Sequence, residues 1–189
     1  MNGKRPSRIG RMIPALAIAG AVSSVASAQQ PLCGGSTVIL NGGSIRFSID
    51  SVAEWTFDCY AGRDENYLIL LHRPRESSSG LGAIMYAAVL PSGDGDHNSA
   101  ENRISADIAS RRNAAPDMAV STAGRVQTKD GPTVVIRQFV SKVRSSYELV
   151  AYIPSETDVP ILGLRAFTER ALTANRPAFD RFVQSFARR

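Results

Sequence analysis

The stretch from Gly124 to Phe186 constrains the fold most, because three β-rich runs in it lead directly into an amphipathic helix stripe. TVVIRQFV (Thr133 to Val140) and YELVAYI (Tyr147 to Ile153) are dense in β-branched and aromatic residues, which suit a pleated, half-buried surface. Lys129-Asp130-Gly131 precedes the first run, and Asp-Gly is a strong short-range hairpin signal because its residues tolerate positive φ. Pro132 stands where a strand begins, and there its missing N–H does least harm. In the second run Tyr147, Leu149, Ala151 and Ile153 share one face, with Glu148 on the other, so one side can meet a core. ILGLRAFT (Ile161 to Thr168) follows a turn at Ser155 to Pro160. Phe179, Phe182, Val183 and Phe186 then recur at i, i+3, i+4 and i+7, one apolar stripe of a helix. Asn175 is the expected N-cap of that helix. Pro177 is expected in its first turn, where a lost N–H has no intrahelical partner.

The N-terminus sets the compartment. Met1 to Arg11 carries Lys4, Arg5, Arg8 and Arg11 and no acid, Met12 to Val25 is apolar and Ala-rich, and Ala26-Ser27-Ala28 forms an A-x-A site. These are the three parts of a secretory signal peptide, with cleavage expected after Ala28. The apolar run of 14 residues contains Pro14 and is too short to cross the ~30 Å hydrocarbon layer comfortably. Residues 1–28 are thus expected to be a signal peptide and residues 29–189 one globular domain, with no membrane span after cleavage and a periplasmic or secreted location. The precursor's net charge of +5 falls with the leader, since 18 Lys and Arg then face 17 acids. A nucleic-acid binder wants a basic stripe on the folded domain, and the remaining arginines are interleaved with acids. That class is excluded.

Cys33 and Cys59 are the whole cysteine complement. In an exported chain an even pair reads first as a disulfide, here closing a loop worth about 3 kcal/mol in the chain-entropy picture. A redox or metal pair wants C-x-x-C spacing, which is absent.

Ahead of the central stretch, Thr37 to Leu40 is apolar and runs to Asn41-Gly42, a second hairpin signal. Ile45, Phe47 and Ile49 alternate with polar neighbours, as do Trp55, Phe57 and Cys59. Tyr67 to Leu71 and Gly82 to Leu90 are nearly continuous apolar runs, expected of central strands covered on both faces. A helix follows the loop Pro91 to Asn98, with Asn98 and Glu101 as a loose capping box. Its narrow apolar face is Ala100, Ile104 and Ile108, while Arg103, Asp107 and Arg111 lie elsewhere. Asn113 and Pro116 end it, and a strand pattern at Met118 to Val126 leads into the meander.

Strands, a helix, more strands and a terminal helix favour an α+β fold with a mainly antiparallel sheet flanked by helices. The Ile45-Arg46-Phe47 strand leading to Trp55, the helix after a Gly/Asp-rich loop, the Asp130-Gly131 meander and the ending FDRFVQSF together resemble the Mog1/PsbP-like superfamily. The resemblance spans roughly Thr37 to Phe186. It implies an α/β/α sandwich and an accessory or binding role, with no shared active site to transfer.

Candidate chemistry centres on His72 and His97. A Ser-His-Asp hydrolase would need one of them between an acid and a nucleophile. Ser77 to Ser79 offer hydroxyls, but no G-x-S-x-G elbow is present. Asp94-Gly95-Asp96-His97-Asn98 spaces oxygen ligands like a calcium loop, yet Ser99 and Ser105 occupy the positions that need Gly and Glu. His97, Asp94 and His72 lack a recognised zinc spacing. No phosphate-cradling Gly-rich loop appears, and Arg111-Arg112 and Arg188-Arg189 read as solvated cations near helix C-termini. The sequence therefore points to an exported, non-catalytic binding or accessory protein of the cell envelope, without catalytic residues, metal or cofactor. Its partner is an unknown envelope protein or small ligand. The alternative is an envelope hydrolase or metal-dependent enzyme using His72 or His97.

Overall fold

The computed structural model describes residues 35–59, 67–74, 82–92 and 99–189. Its strands are β1 (Thr37–Gly42), β2 (Ile45–Asp50), β3 (Thr56–Asp58), β4 (Ile69–His72), β5 (Ala83–Leu90), β6 (Ala119–Gln127), β7 (Thr133–Ser141), β8 (Ser146–Tyr152), β9 (Val159–Ala166) and β10 (Ala187–Arg188). Its helices are α1 (Ala100–Ala114), between β5 and β6, and α2 (Glu169–Gln184), between β9 and β10. Seven strands form one sheet in the order β3-β4-β5-β9-β8-β7-β6, every neighbouring pair antiparallel. The fold is α+β, as the element order predicts. The crossover through α1 and β6–β8 brings β9 back beside β5, so β5, β9 and β8 occupy the middle.

Period-2 alternation explains which side each strand residue serves. Leu149, Ala151 and Ile153 of the β8 run, with Leu162 and Leu164 of β9 and Met85 of β5, face α2. Val150 and Tyr152, with Ile161 and Tyr86, line the opposite face with α1. The Asp130-Gly131 hairpin connects β6 to β7 through Thr128 to Pro132, with Gln127 opposite Thr133. The start of β9 differs from expectation. Pro160 lies inside β9 rather than in the turn before it. The position suits proline because it is only the second strand residue, and its carbonyl still accepts from the Ile153 N–H at 3.0 Å.

Helix α2 carries the aromatic stripe into the core: Leu172, Ala178, Phe179, Phe182 and Val183 are buried. Phe186 is equally buried although it lies just past the C-cap Ser185, and its ring meets Phe47 at 5.2 Å. The helix starts earlier than Asn175. Thr168 is the N-cap, its hydroxyl accepting from the Ala171 N–H at 3.1 Å. Asn175 and Pro177 are interior. An interior proline forfeits one backbone hydrogen bond at a cost of about 3 kcal/mol, which burial of Leu172 one turn upstream helps to offset. Asn175 turns its amide back to the Ala171 carbonyl at 2.8 Å instead of capping.

β1 and β2 form a second sheet with β10, set over the α2 side of the core through Leu40, Ile45, Phe47 and Ile49. Gly42 pairs with Ile45, so the turn residues are Gly43 and Ser44, not Asn41 and Gly42. Gly43 has φ +59°, the left-handed region where a Cβ is costly, and a Cβ there would also strike Asp158. Buried Asp158 pins this hairpin: its carboxylate accepts from Ser44 N at 2.5 Å, Ser44 Oγ at 2.9 Å and Ser92 N at 2.5 Å. Burial works to raise its pKa, but the Ser44 and Ser92 amides outweigh that and hold it below the ordinary 3.8. A depressed carboxylate pKa contributes stability that is present above the unfolded value and is lost as pH falls through the folded one.

Two outcomes are expected from urea unfolding. Phe182→Ala lowers stability by about 3–5 kcal/mol, whereas the exposed Arg181→Ala changes it by no more than about 0.5 kcal/mol; equal midpoints would mean that α2 is not docked. Asp158→Asn costs about 1.5–3 kcal/mol at pH 7, the worth of hydrogen bonds to a charged group. The gap between that variant and the parent narrows as pH is lowered below 3.8.

Candidate functional site beneath the first helix

The strongest gathering of chemically capable groups lies between α1 and the sheet. The N-cap of α1 is Ser99, whose hydroxyl accepts from the Asn102 N–H at 3.1 Å; Asn98, the expected cap, lies outside the described residues. Arg103, Asp107 and Arg111 recur at four-residue spacing, which stacks them on one face. They do not point away from the sheet. Arg103 is the buried residue of this helix, and its guanidinium donates to the carbonyls of Ser99, Ser155 and Thr157.

Further along, Arg111 donates through Nε to Asp107 at 2.8 Å and through Nη1 to Glu148 at 2.6 Å. Tyr152 donates to the same Asp107 oxygen at 2.5 Å, and Tyr86 donates to Glu148 at 2.6 Å. Arg165 of β9 completes the group at 3.5 Å from Glu148. Arg111 also lies 4.9 Å over the Phe139 ring, and Tyr67 stacks on Tyr86 at 4.4 Å. A carboxylate placed this deep must be paired and hydrogen-bonded to be tolerated, and Glu148 has a partner from α1, β5 and β9. Arg111 is therefore no solvated end. Arg188 and Arg189 are engaged as well, Arg188 with the Pro154 carbonyl at 2.6 Å and Arg189 with Ser48 at 2.9 Å.

Gly163 makes the Tyr86 contact possible. Tyr86 on β5 pairs with Gly163 on β9, and Val150 on β8 pairs with the same glycine from the other side. The Tyr86 ring must cross β9 to reach Glu148, and a Cβ on Gly163 would stand inside that ring. Electrostatics then settle what the cluster can do. Burial, followed by the Glu148 charge, pushes the Tyr86 phenol well up; burial and then Asp107 do the same to Tyr152. Burial works against the Arg111 charge, but Glu148, Tyr86 and Asp107 more than restore it, leaving its pKa raised. Both phenols stay protonated donors and the guanidinium stays charged.

Of the sequence candidates, His72 and Cys59 fall among the described residues. His72 ends β4 with Nε2 3.9 Å from Asp58 on β3 and Nδ1 3.3 Å from the Arg73 carbonyl. Among the described residues these partners include an acid but no nucleophile. His97, Asp94, Asn98, Ser77 to Ser79, Cys33 and Ala28 lie outside the described residues, while Cys59 is buried in the core cluster that also holds Trp55. Among the described residues no three His, Cys, Asp or Glu side chains are grouped to hold a metal, and no helix is long and apolar enough to cross a membrane. A shallow depression of about 650 Å³ at the start of α1 is lined by Ser99, Pro154, Ser155, Thr157 and Arg188. Arg103 and Arg188 already occupy the carbonyls of residues 154, 155 and 157.

The arrangement, an antiparallel sheet with α1 on one face and α2 on the other, is the PsbP/Mog1-like fold. No protein-family profile and no curated protein matches the sequence. The structure is similar to the solution structure of cyanobacterial PsbP (CyanoP) from Synechocystis sp. PCC 6803, with a TM-score of 0.53 and 12% identity. That match covers 83% of this chain and 97% of the other. A crystal structure from Bacteroides thetaiotaomicron VPI-5482 aligns at a TM-score of 0.45 and 9% identity, over 82% of this chain and 48% of that one.

Gly163→Ala is expected to cost about 1–3 kcal/mol by overpacking against Tyr86. In a Tyr86→Ala background the same substitution should be neutral or stabilising, because the clash is gone and Gly in a strand is itself unfavourable. A urea double-mutant cycle reads the coupling; additive effects would show that the ring does not cross β9.

Proposed function

We propose that this chain is an exported, non-catalytic binding or accessory protein of the cell envelope, periplasmic or secreted. Residues 29–189 form its single domain, cut after Ala28 and closed by a Cys33–Cys59 disulfide. The observation that carries the non-catalytic reading is the saturation of the Glu148 cluster. Catalytic acids and bases need a pKa poised for proton transfer and room for a substrate, whereas Tyr86, Arg111 and Arg165 occupy this carboxylate. The leader supports export, and export supports the disulfide. The PsbP-like fold is compatible with a role exercised through surface recognition. The partner is an envelope protein or a small ligand.

Expression in an export-competent host tests the reading. Intact mass of the envelope or medium fraction should correspond to a chain beginning at Gln29, with no alkylation before reduction and two modified thiols after it. A membrane-held mass that retains Met1, or two reactive thiols without reductant, overturns the export and disulfide assignments respectively. A strain lacking the protein should be rescued as well by the His72→Ala, His97→Ala double variant as by the parent. Failure of that variant, at equal abundance, would favour the enzyme.

A further inference from the structure

The two helices are held on the sheet by unlike means. α2 buries Leu172, Phe179, Phe182 and Val183, contacts that water cannot replace. α1 buries one side chain, Arg103, while Ala100, Ile104 and Ile108 are only partly buried against the second face. Its attachment is otherwise polar: Arg103 to the carbonyls of Ser155 and Thr157, Asp107 to Tyr152, and Arg111 to Glu148. Water can substitute for each of these, so their net contribution is small compared with their number.

The distribution of partners is the decisive feature. Breaking a buried ion pair is normally expensive because one charge is left alone. Here neither side would be. Arg111 keeps Asp107 within its own helix at 2.8 Å, and Glu148 keeps Tyr86 at 2.6 Å and Arg165 at 3.5 Å within the sheet. Both the closed and the lifted arrangement therefore keep a partner for each of these two charges among the described residues. We propose that α1 is a separately opening cover, latched by Arg111–Glu148, which lifts from the aromatic sheet face of Tyr86, Phe139 and Tyr152 while the α2 core stays folded. This is local opening of a low-stability unit, distinct from global unfolding.

Hydrogen exchange of the purified protein at neutral pH tests it. Amides of α1 should exchange at least about tenfold faster than those of α2 and β8, as a locally opening unit requires. Glu148→Gln and Arg111→Gln, which release the latch from its two sides, should each accelerate α1 further and leave α2 unchanged. Equal exchange of α1 and α2 in the parent overturns the proposal. So does acceleration of both helices together in the two variants, since that would make the pair part of the global core. The parent comparison needs no variant and can overturn the proposal by itself.

Discussion

The stacking of the α2 aromatic stripe on the seven-stranded sheet is the contact on which the rest of the structure depends. Phe179, Phe182 and Val183 join the main sheet to the helix, and Phe186 carries the same core on to Phe47 of the smaller sheet. Two sheets that share no strand pairing among the described residues are thus united through one apolar layer. The chain end confirms the direction of that coupling. Lys129 N donates to the Phe186 carbonyl, and β10 adds to β2, so the hairpin after β6 and the hairpin of β1 and β2 both hold the segment that follows α2.

The other sheet face is organised by a different requirement. A carboxylate at Glu148, 4% exposed in the middle of the sheet, has to be satisfied by whatever covers it. Tyr86 reaches it only because Gly163 leaves β9 flat, Arg165 reaches it from the next strand, and Arg111 descends from α1. Such groups resemble an active site in composition and differ from one in being filled. What they specify is the position of a helix whose apolar face alone would place it poorly.

The division between sequence and tertiary structure follows from the range of the forces involved. Alternation and β-branched density are local consequences of the pleat, so β7, β8 and β9 were legible, as was the period of Phe179, Phe182 and Val183. Boundaries were less so. Helix α2 starts seven residues ahead of the expected cap, at Thr168 rather than Asn175, because distant burial offsets the local cost of Pro177. The Gly43–Ser44 turn depended on Asp158, more than a hundred residues away.

The Glu148 cluster lay in the sequence only as fragments: charges four residues apart on α1, one acid in an apolar strand, and one glycine in another. Spacing along the chain determines which residues share a face, and that much the sequence settled by itself. Whether a charged face meets water or a buried partner depends on strand order and on the crossover that returns β9 beside β5. Those are set by the joint burial of two helices on one sheet, a condition no local segment contains.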